Sequence, residues 1–121
     1  ARTASKRYAD YLGIPPVGEF ANVEVAPGVM SKDEIFQGGP ILHLCRFSTF
    51  EPNGVTGSFS GEIRSGWMVG KGKRTPIKGG AVTGTMQEAF RRAYFSKEIV
   101  QRESYKGPAY VKLCGLDIGG E

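Results

Sequence analysis

The 121-residue sequence has 40% hydrophobic and 23% charged residues, a balance that is typical of a folded chain and excludes a disordered tail. Its length fits a single domain, and no apolar run approaches the ~18 residues that span a bilayer. Sixteen Lys and Arg against twelve Asp and Glu give a net charge of +4, which permits an acidic partner without requiring one.

The first 18 residues are polar and contain two adjacent prolines. Pro15 and Pro16 exclude a regular helix there, so residues 1–18 are predicted to be a connector. The chain begins at Ala1 without a Met, and we therefore expect a piece of a longer protein. Residues 19–121 are predicted to form one β-rich domain.

Three short elements follow the connector. Alternating apolar residues predict a half-buried strand over 21–25. Ser31 and Glu34 have the spacing of a capping box, in which each side chain satisfies a backbone N–H of the other, so a short helix is expected over 32–37. The sequence ILHLCRF, residues 41–47, is apolar on both sides of the alternation and predicts a strand covered on both faces.

The glycine-rich stretch NGVTGSFSGEIRSGW, residues 53–67, predicts a long amphipathic strand. Its apolar and polar residues alternate, with Phe59, Ile63, Trp67 and Val69 on one side and Ser58, Ser60, Glu62 and Arg64 on the other. GKGK, residues 70–73, predicts a turn. The return strand contains Pro76, so it is expected at an edge or with a bulge.

A second helix and a closing strand complete the prediction. Thr85 and Glu88 have the capping-box spacing, and apolar residues then recur on one helical face, which predicts the main helix near 86–98. A last strand is expected after Pro108. The predicted class is α+β and β-dominated: a curved, antiparallel, open barrel-like sheet with this helix and the short one near 32–37.

The sequence contains no complete catalytic motif. A phosphate-binding G-x-x-x-x-G-K-[ST] loop fails at Ser65 and Gly72, and no G-x-G-x-x-G joins a strand to a helix. His43 and Cys45 lie on one face of a strand and have the chemistry of two zinc ligands. The only other Cys, Cys114, is distant in the chain, so a packed residue pair is the favoured interpretation. The two cysteines have no CxxC spacing, which favours reduced thiols and a cytoplasmic protein.

A basic cluster supports an alternative function, a small nucleic-acid-binding module. The cluster lies in the predicted hairpin turn, where lysines commonly protect a sheet edge. Its members are Lys71, Lys73, Arg74 and Lys78, with Arg91 and Arg92 from the helix. A solvated turn is the favoured interpretation, and nucleic acid is not the expected partner.

Three segments in the same order resemble the C-terminal region of the TldD/PmbA family of zinc metallopeptidases. The segment NGVTGSFSGEIRSGWMVGKGKRTPIKGGAVTG resembles the family's Asn/Gly-rich entry, TG-x-FS strand, hairpin and P-[VI]-K-G-x-x-[VI]-x-G return. NVEVAPGVMSKDEIFQ is similar to its N-x-x-[VI]-x-P-G segment, and GPAYVKLCGLDIGGE to its closing strand. Together the segments span about 100 of the 121 residues.

The resemblance implies a cytoplasmic, dimeric protein, formerly called a modulator of DNA gyrase. In this family an H-E-x-x-x-H helix and a Cys hold zinc, and TldD-like and PmbA-like (also called TldE) subunits combine to cut unfolded peptides. Family members also take part in peptide-antibiotic maturation. The expected partners of this chain are therefore an unfolded peptide and either a second copy or a TldD-like subunit.

The chain departs from the family's metal-binding pattern. His43 is its only His, so H-E-x-x-x-H is absent, and residues 96–108 contain no Cys where TldD-like subunits carry a ligand. We therefore assign no catalytic or metal residue and expect a PmbA-like C-terminal domain that is inactive alone. Zinc is expected only in the full-length family assembly.

The glycine-rich strand is the expected contact with a peptide, because exposed backbone allows an extended segment to add to a sheet. The residues expected in the substrate cavity are Asn53, Gly54, Thr56, Gly57, Gly61 and Gly66. Glu62 and Arg64 are expected at the subunit interface, with an exposed ion pair as the alternative. Tight packing in a twisted sheet is the alternative explanation of the glycines. A pure assembly domain is the alternative function.

Overall fold

The computed structural model describes residues 22–120 together with the backbone of residues 2–3 and 18–19. The sheets are curved and do not close into a barrel, and both helices are short. The predicted class, α+β with β-structure dominant, is confirmed. The connector predicted over residues 1–18 lies outside the described residues, apart from the antiparallel pairing of Arg2–Thr3 with Gly18–Glu19.

Residues 22–120 contain two helices, α1 (Lys32–Ile35) and α2 (Met86–Arg91). The strands in chain order are β1 (Arg2–Thr3), β2 (Gly18–Glu19), β3 (Val23–Glu24), β4 (Ile41–Pro52), β5 (Ser58–Gly70), β6 (Lys73–Ile77), β7 (Ala81–Thr85), β8 (Tyr94–Phe95), β9 (Ile99–Arg102), β10 (Tyr105–Pro108), β11 (Val111–Lys112) and β12 (Asp117–Gly119).

The largest sheet has the order β12–β7–β5–β4, with β6 also paired to β5. All of its pairs are antiparallel. Strand β5 is the centre of this sheet, because β4 follows one side of it while β7 pairs with residues 58–62 and β6 with residues 66–70 on the other side. The amphipathic strand predicted from the sequence is therefore present and central.

A two-glycine link divides the return strand into β6 and β7. Gly79 and Gly80 have φ of 86° and 92°, in the left-handed region that favours glycine. Ile63 N–H donates to Gly80 O at 2.8 Å, and Gly79 N–H donates to Ile63 O at 3.0 Å. The link thus stays bonded to the middle of β5. The predicted turn between β5 and β6 is also confirmed, since Lys71 and Gly72 both have positive φ, as in a two-residue hairpin turn.

The apolar core lies under β5 and β7. Phe59 and Ile63 project from β5 to the same face, and Val82 on β7 is opposite Gly61. The buried apolar residues in the described part of the chain are Ile35, Phe59, Ile63, Val82 and Ala89. This is a small core for a domain of this size.

Ser96 connects the peripheral strands. Its side chain is fully buried, and its Oγ donates to Glu98 O at 2.8 Å and accepts from Tyr110 N–H at 3.1 Å. Its backbone N–H donates to Tyr110 O, and its carbonyl accepts from Gly28 N–H, both at 3.0 Å. All the polar groups of this buried residue are therefore paired.

The main helix is shorter than predicted. Thr85 Oγ1 accepts from Glu88 N–H at 3.3 Å, which is one half of the predicted capping box; the reciprocal bond of Glu88 is absent, and the helix ends at Arg91 instead of continuing to residue 98. Tyr94–Phe95 pairs with Val111–Lys112 instead, and this tertiary pairing outweighs the local helical periodicity.

The first helix, α1, also ends early. Its capping box is complete, with Ser31 N–H donating to Glu34 Oε2 and Glu34 N–H donating to Ser31 Oγ. The helix stops at Ile35 instead of residue 37, since Gly38 and Gly39 have positive φ and cannot continue it.

Two strand predictions are also corrected. Residues 41–44 of β4 are half-buried, but the strand is exposed from Cys45 to Pro52, so the described residues do not cover both of its faces there. The closing strand predicted after Pro108 is two short strands, β11 and β12, separated by a turn at Gly115, whose φ is 76°.

We predict that Gly28→Ala destabilises the domain strongly. A Cβ at residue 28 would lie 2.0 Å from Phe95 O, so the segment that bonds to Ser96 has to move. The expected loss is about 1–3 kcal/mol, as for other overpacked sites. Gly54→Ala is the matched control, because nothing lies within 4 Å of its Cβ position. Urea unfolding measures both, and equal midpoints for the two variants would contradict the prediction.

Candidate functional site

The hairpin tip, defined as residues 53–57, is a rigid turn. The Asn53 side-chain oxygen accepts from Val55 N–H at 2.9 Å and from Thr56 N–H at 3.1 Å. Gly57 N–H donates to Asn53 O at 2.9 Å, and Asn53 N–H donates to Ser58 O at 2.7 Å. The Asn53 carboxamide oxygen is therefore already used to close the turn.

Contacts with α2 fix the far side of the hairpin tip. Gly57 has a φ of 74°, and its carbonyl accepts from Met86 N–H at 2.7 Å. A Cβ at Gly57 would lie 2.6 Å from the Gln87 side chain. The Thr56 hydroxyl is 2.7 Å from the Ser58 hydroxyl, within hydrogen-bond distance. Together with Asn53, these contacts hold the tip in one conformation.

One side of the hairpin tip faces an open depression of about 560 Å³. Gly54 is in its lining, and the space around the Gly54 Cβ position is open. The remaining lining residues are Glu51, Pro52, Asn53, Ser58, Phe59 and Ser60. Of the predicted cavity residues, Asn53, Gly54, Thr56 and Gly57 are thus together at one end of β5.

The other two predicted cavity residues, Gly61 and Gly66, lie further along β5. A Cβ at Gly61 would lie 2.9 Å from the Phe47 ring and 3.0 Å from the Phe50 ring. A Cβ at Gly66 would lie 2.6 Å from His43 O. Packing therefore accounts for both glycines, and their predicted contact with a peptide backbone stays a prediction.

Glu62 and Arg64, the predicted interface residues, are both exposed on β5. Glu62 is opposite Ala81 on β7, whereas Arg64 is a bulge residue without a partner on β4. Within residues 22–120 the only ion pair is Arg91–Glu88 at 3.1 Å, so the alternative of a Glu62–Arg64 pair is not present. Their role at an interface stays a prediction.

Sequence reasoning missed a group of rings that we call the aromatic row: Phe36, His43 and Tyr110, which contact one another, and Trp67 on the adjacent strand. His43 and Trp67 are directly opposite each other on β4 and β5. The Phe36 ring lies 5.1 Å from the His43 ring and 5.8 Å from the Tyr110 ring between centroids, both edge to face. Because these residues come from separate elements, no local pattern in the sequence indicates the cluster.

Two cations cover the aromatic row. The Arg74 guanidinium lies 4.9 Å from the Trp67 ring centroid, and Lys32 Nζ lies 5.4 Å from that of Tyr110. Burial lowers the pKa of His43 below its usual range, and the nearby charges of Arg74 and Lys32 lower it further. The imidazole is therefore neutral at neutral pH, and its environment is electropositive.

His43 and Cys45 do not form a zinc site on their own. Cys45 Sγ is 4.0 Å from His43 Nε2, which gives two donors at most, and the described residues bring no third His, Cys, Asp or Glu to them. A catalytic zinc needs three protein ligands. The donors of this chain therefore do not fit the family's catalytic zinc, and no step of chemistry is assigned to it here.

A profile described as the PmbA/TldA metallopeptidase C-terminal domain matches residues 1–120. A comparison with curated protein sequences gave no match. In the described part of the chain, no helix has the length and hydrophobicity to cross a membrane.

We predict that His43 titrates below 6.5, the ordinary value for His. The unfolded chain then takes up the proton first, so the contribution of His43 to stability is complete above about pH 6.5 and is lost as the pH falls through the folded-state pKa. His43 is the only His, so one imidazole proton resonance reports the midpoint in an NMR titration. A midpoint at or above 6.5 would refute this. In His43→Gln, the free energy of unfolding should fall less between pH 7.5 and pH 5 than it does in the unsubstituted chain.

Proposed function

Because the chain belongs to the family of PmbA/TldA metallopeptidase C-terminal domains, we propose that it forms part of the peptide cavity and of the subunit interface of a TldD/PmbA-type metallopeptidase. The observation that carries this proposal is the amount of uncovered apolar surface. Twelve large hydrophobic residues are exposed, among them Phe47, Phe50 and Phe90, against five buried apolar residues in the described part of the chain. Such surface is typical of a domain that a partner covers.

The proposed peptide contact lies at the outer edge of β4. Beyond its pairing with β5, this strand has no neighbour among the described residues, so an extended peptide has access to its backbone groups. Register shifts leave Cys45 and Ser48 without partners on β5, and such bulges discourage regular edge pairing. Residues 41–44 and 49–52 are the two parts of β4 without a register shift, and residues 49–52 lead directly into the hairpin tip.

Aromatic packing supports this location. Phe47, Phe50 and Phe59 form a series, with ring centroids 5.3 Å apart for the first pair and 5.6 Å for the second. Phe59 is buried, whereas Phe47 and Phe50 are 39% and 43% exposed. The series thus extends the core to the edge of β4, where apolar side chains of a peptide or a partner subunit would complete it.

The chain is proposed to have the PmbA-like, non-catalytic role. This is supported by the single His of the sequence, which cannot form H-E-x-x-x-H, and by the absence of Cys between residues 96 and 108. The zinc and its ligands would then come from another part of the protein or from a TldD-like subunit. We propose a cytoplasmic location and a dimeric assembly for the whole protein.

We predict that the purified 121-residue chain does not hydrolyse unfolded peptides, even with added Zn²⁺, because it lacks three metal ligands. The measurement is cleavage of a fluorogenic casein-type substrate with Zn²⁺ and with a chelator. Hydrolysis that the chelator abolishes would overturn the non-catalytic role. A heat-denatured preparation of the chain is measured in parallel and gives the background signal.

We predict that an unstructured neutral peptide slows amide exchange in residues 49–60, at the edge of β4 and the hairpin tip. Hydrogen–deuterium exchange with and without peptide measures this effect. Residues 99–106, in the β9–β10 hairpin, are the internal control and should not change. Unchanged exchange throughout would instead favour a pure assembly domain. Phe50→Ser should weaken the protection, while Val29→Ser, at a side chain that is 91% exposed and lies outside residues 49–60, should not.

A further inference from the structure

The aromatic row carries two positive charges that no carboxylate neutralises. Neither Lys32 nor Arg74 makes an ion pair among residues 22–120. Two acidic side chains close to α1 are engaged with backbone groups instead. Glu34 Oε2 accepts from Ser31 N–H at 2.6 Å, and Glu98 Oε2 accepts from Lys32 N–H at 3.0 Å. Both cations are therefore available to an external anion.

The two cations are also positioned in advance. Arg74 is opposite Val69 on β5, and its guanidinium rests on the neighbouring Trp67 ring. The N–H groups of a guanidinium lie in its own plane, in the fork that a carboxylate fits, so a contact through its face leaves them able to bind one. Lys32 is held over Tyr110 at the first residue of α1. Less side-chain entropy is then lost when an anion binds.

The geometry favours a carboxylate over a nucleic-acid base. Single-stranded nucleic acids bind by stacking bases on free ring faces. Here Arg74 covers a face of Trp67, Lys32 covers a face of Tyr110, and Phe36 and His43 pack against each other edge to face. A carboxylate needs only the outward N–H donors, which remain open.

We propose that the aromatic row with Lys32 and Arg74 binds an acidic segment of a peptide through its carboxylates. The inference rests on the proposed function in one respect, that the partner of this domain is a peptide. It adds a preference for acidic sequence at a surface separate from the hairpin tip. Arg74 would bind one carboxylate with two parallel hydrogen bonds, and Lys32 would bind a second one as a point charge.

Trp67 gives a direct measurement, because it is the only Trp of the chain and lies under Arg74. Its fluorescence is followed during titration with three unstructured peptides of equal length, one Glu-rich, one Ser/Gly-rich and one Lys-rich. We expect saturable binding of the Glu-rich peptide, at least ~10-fold tighter than the neutral one and weaker at high salt. Equal affinity of the acidic and neutral peptides would overturn the inference.

Variants matched in charge separate the site from a general effect of net charge. Arg74→Gln is expected to weaken binding of the Glu-rich peptide by ~10-fold or more, and Arg74→Lys to restore it in part. Lys78→Gln removes the same charge from an exposed position outside the row and should change affinity less than twofold. Because Arg74 variants alter the Trp67 environment, calorimetry provides the affinities, and thermal unfolding confirms the fold. Equal losses in Arg74→Gln and Lys78→Gln would refute the site.

Two further outcomes are informative. Tighter binding of oligothymidylate than of the Glu-rich peptide would overturn the inference in favour of a nucleic-acid surface. If the neutral peptide still slows exchange in residues 49–60 while the Glu-rich peptide shows no advantage, the inference fails and the proposed function stands. If the neutral peptide does not slow exchange in residues 49–60 while the Glu-rich peptide binds more tightly than the neutral one, the proposed function alone is refuted.

Discussion

The structure depends on one constraint: β5 has to pair with neighbours on both sides over 13 residues while covering the core with one face. Glycine makes this possible at two positions. At Gly61 the Phe47 and Phe50 rings occupy the space of a side chain, and at Gly66 the backbone of β4 approaches within 2.6 Å of the Cβ position. Packing thus requires glycine at these two positions of β5, and the peptide contact is proposed at the hairpin tip and the β4 edge.

The bulges beside β5 determine which surface is available. Cys45 and Ser48 on β4, and Arg64 on β5, have no partner across the pair, so the register changes within a short segment. Bulges increase the local twist and redirect side chains. They separate the half of β4 that carries His43 and the aromatic row from the half that carries Phe50 and leads to the hairpin tip. Two distinct surfaces therefore arise on one strand.

Local sequence patterns predicted the elements that depend on residues close to one another in the chain. The alternation of β5, the capping box of Ser31 and Glu34 and the turn at Lys71 and Gly72 were all readable from the sequence. The predicted helix was longer than α2, because the pairing of residues 94–95 with β11 depends on contacts distant in sequence. Local patterns do not indicate the aromatic row for the same reason, since its rings and cations come from different elements. The register of β4 and β5, which places His43 opposite Trp67, is not encoded by any one segment.

The small core and the two surfaces have a common physical explanation. Among residues 22–120, five apolar residues are buried and twelve large hydrophobic residues are exposed, so apolar burial within this part of the chain contributes little stability. Hydrogen bonds compensate in part, as at Ser96, where every polar group is paired. Burial lowers the pKa of His43, and the positive charges of Arg74 and Lys32 lower it further. In the proposed complex the carboxylates of an acidic peptide would offset this positive charge, so the surface would be more favourable bound than free.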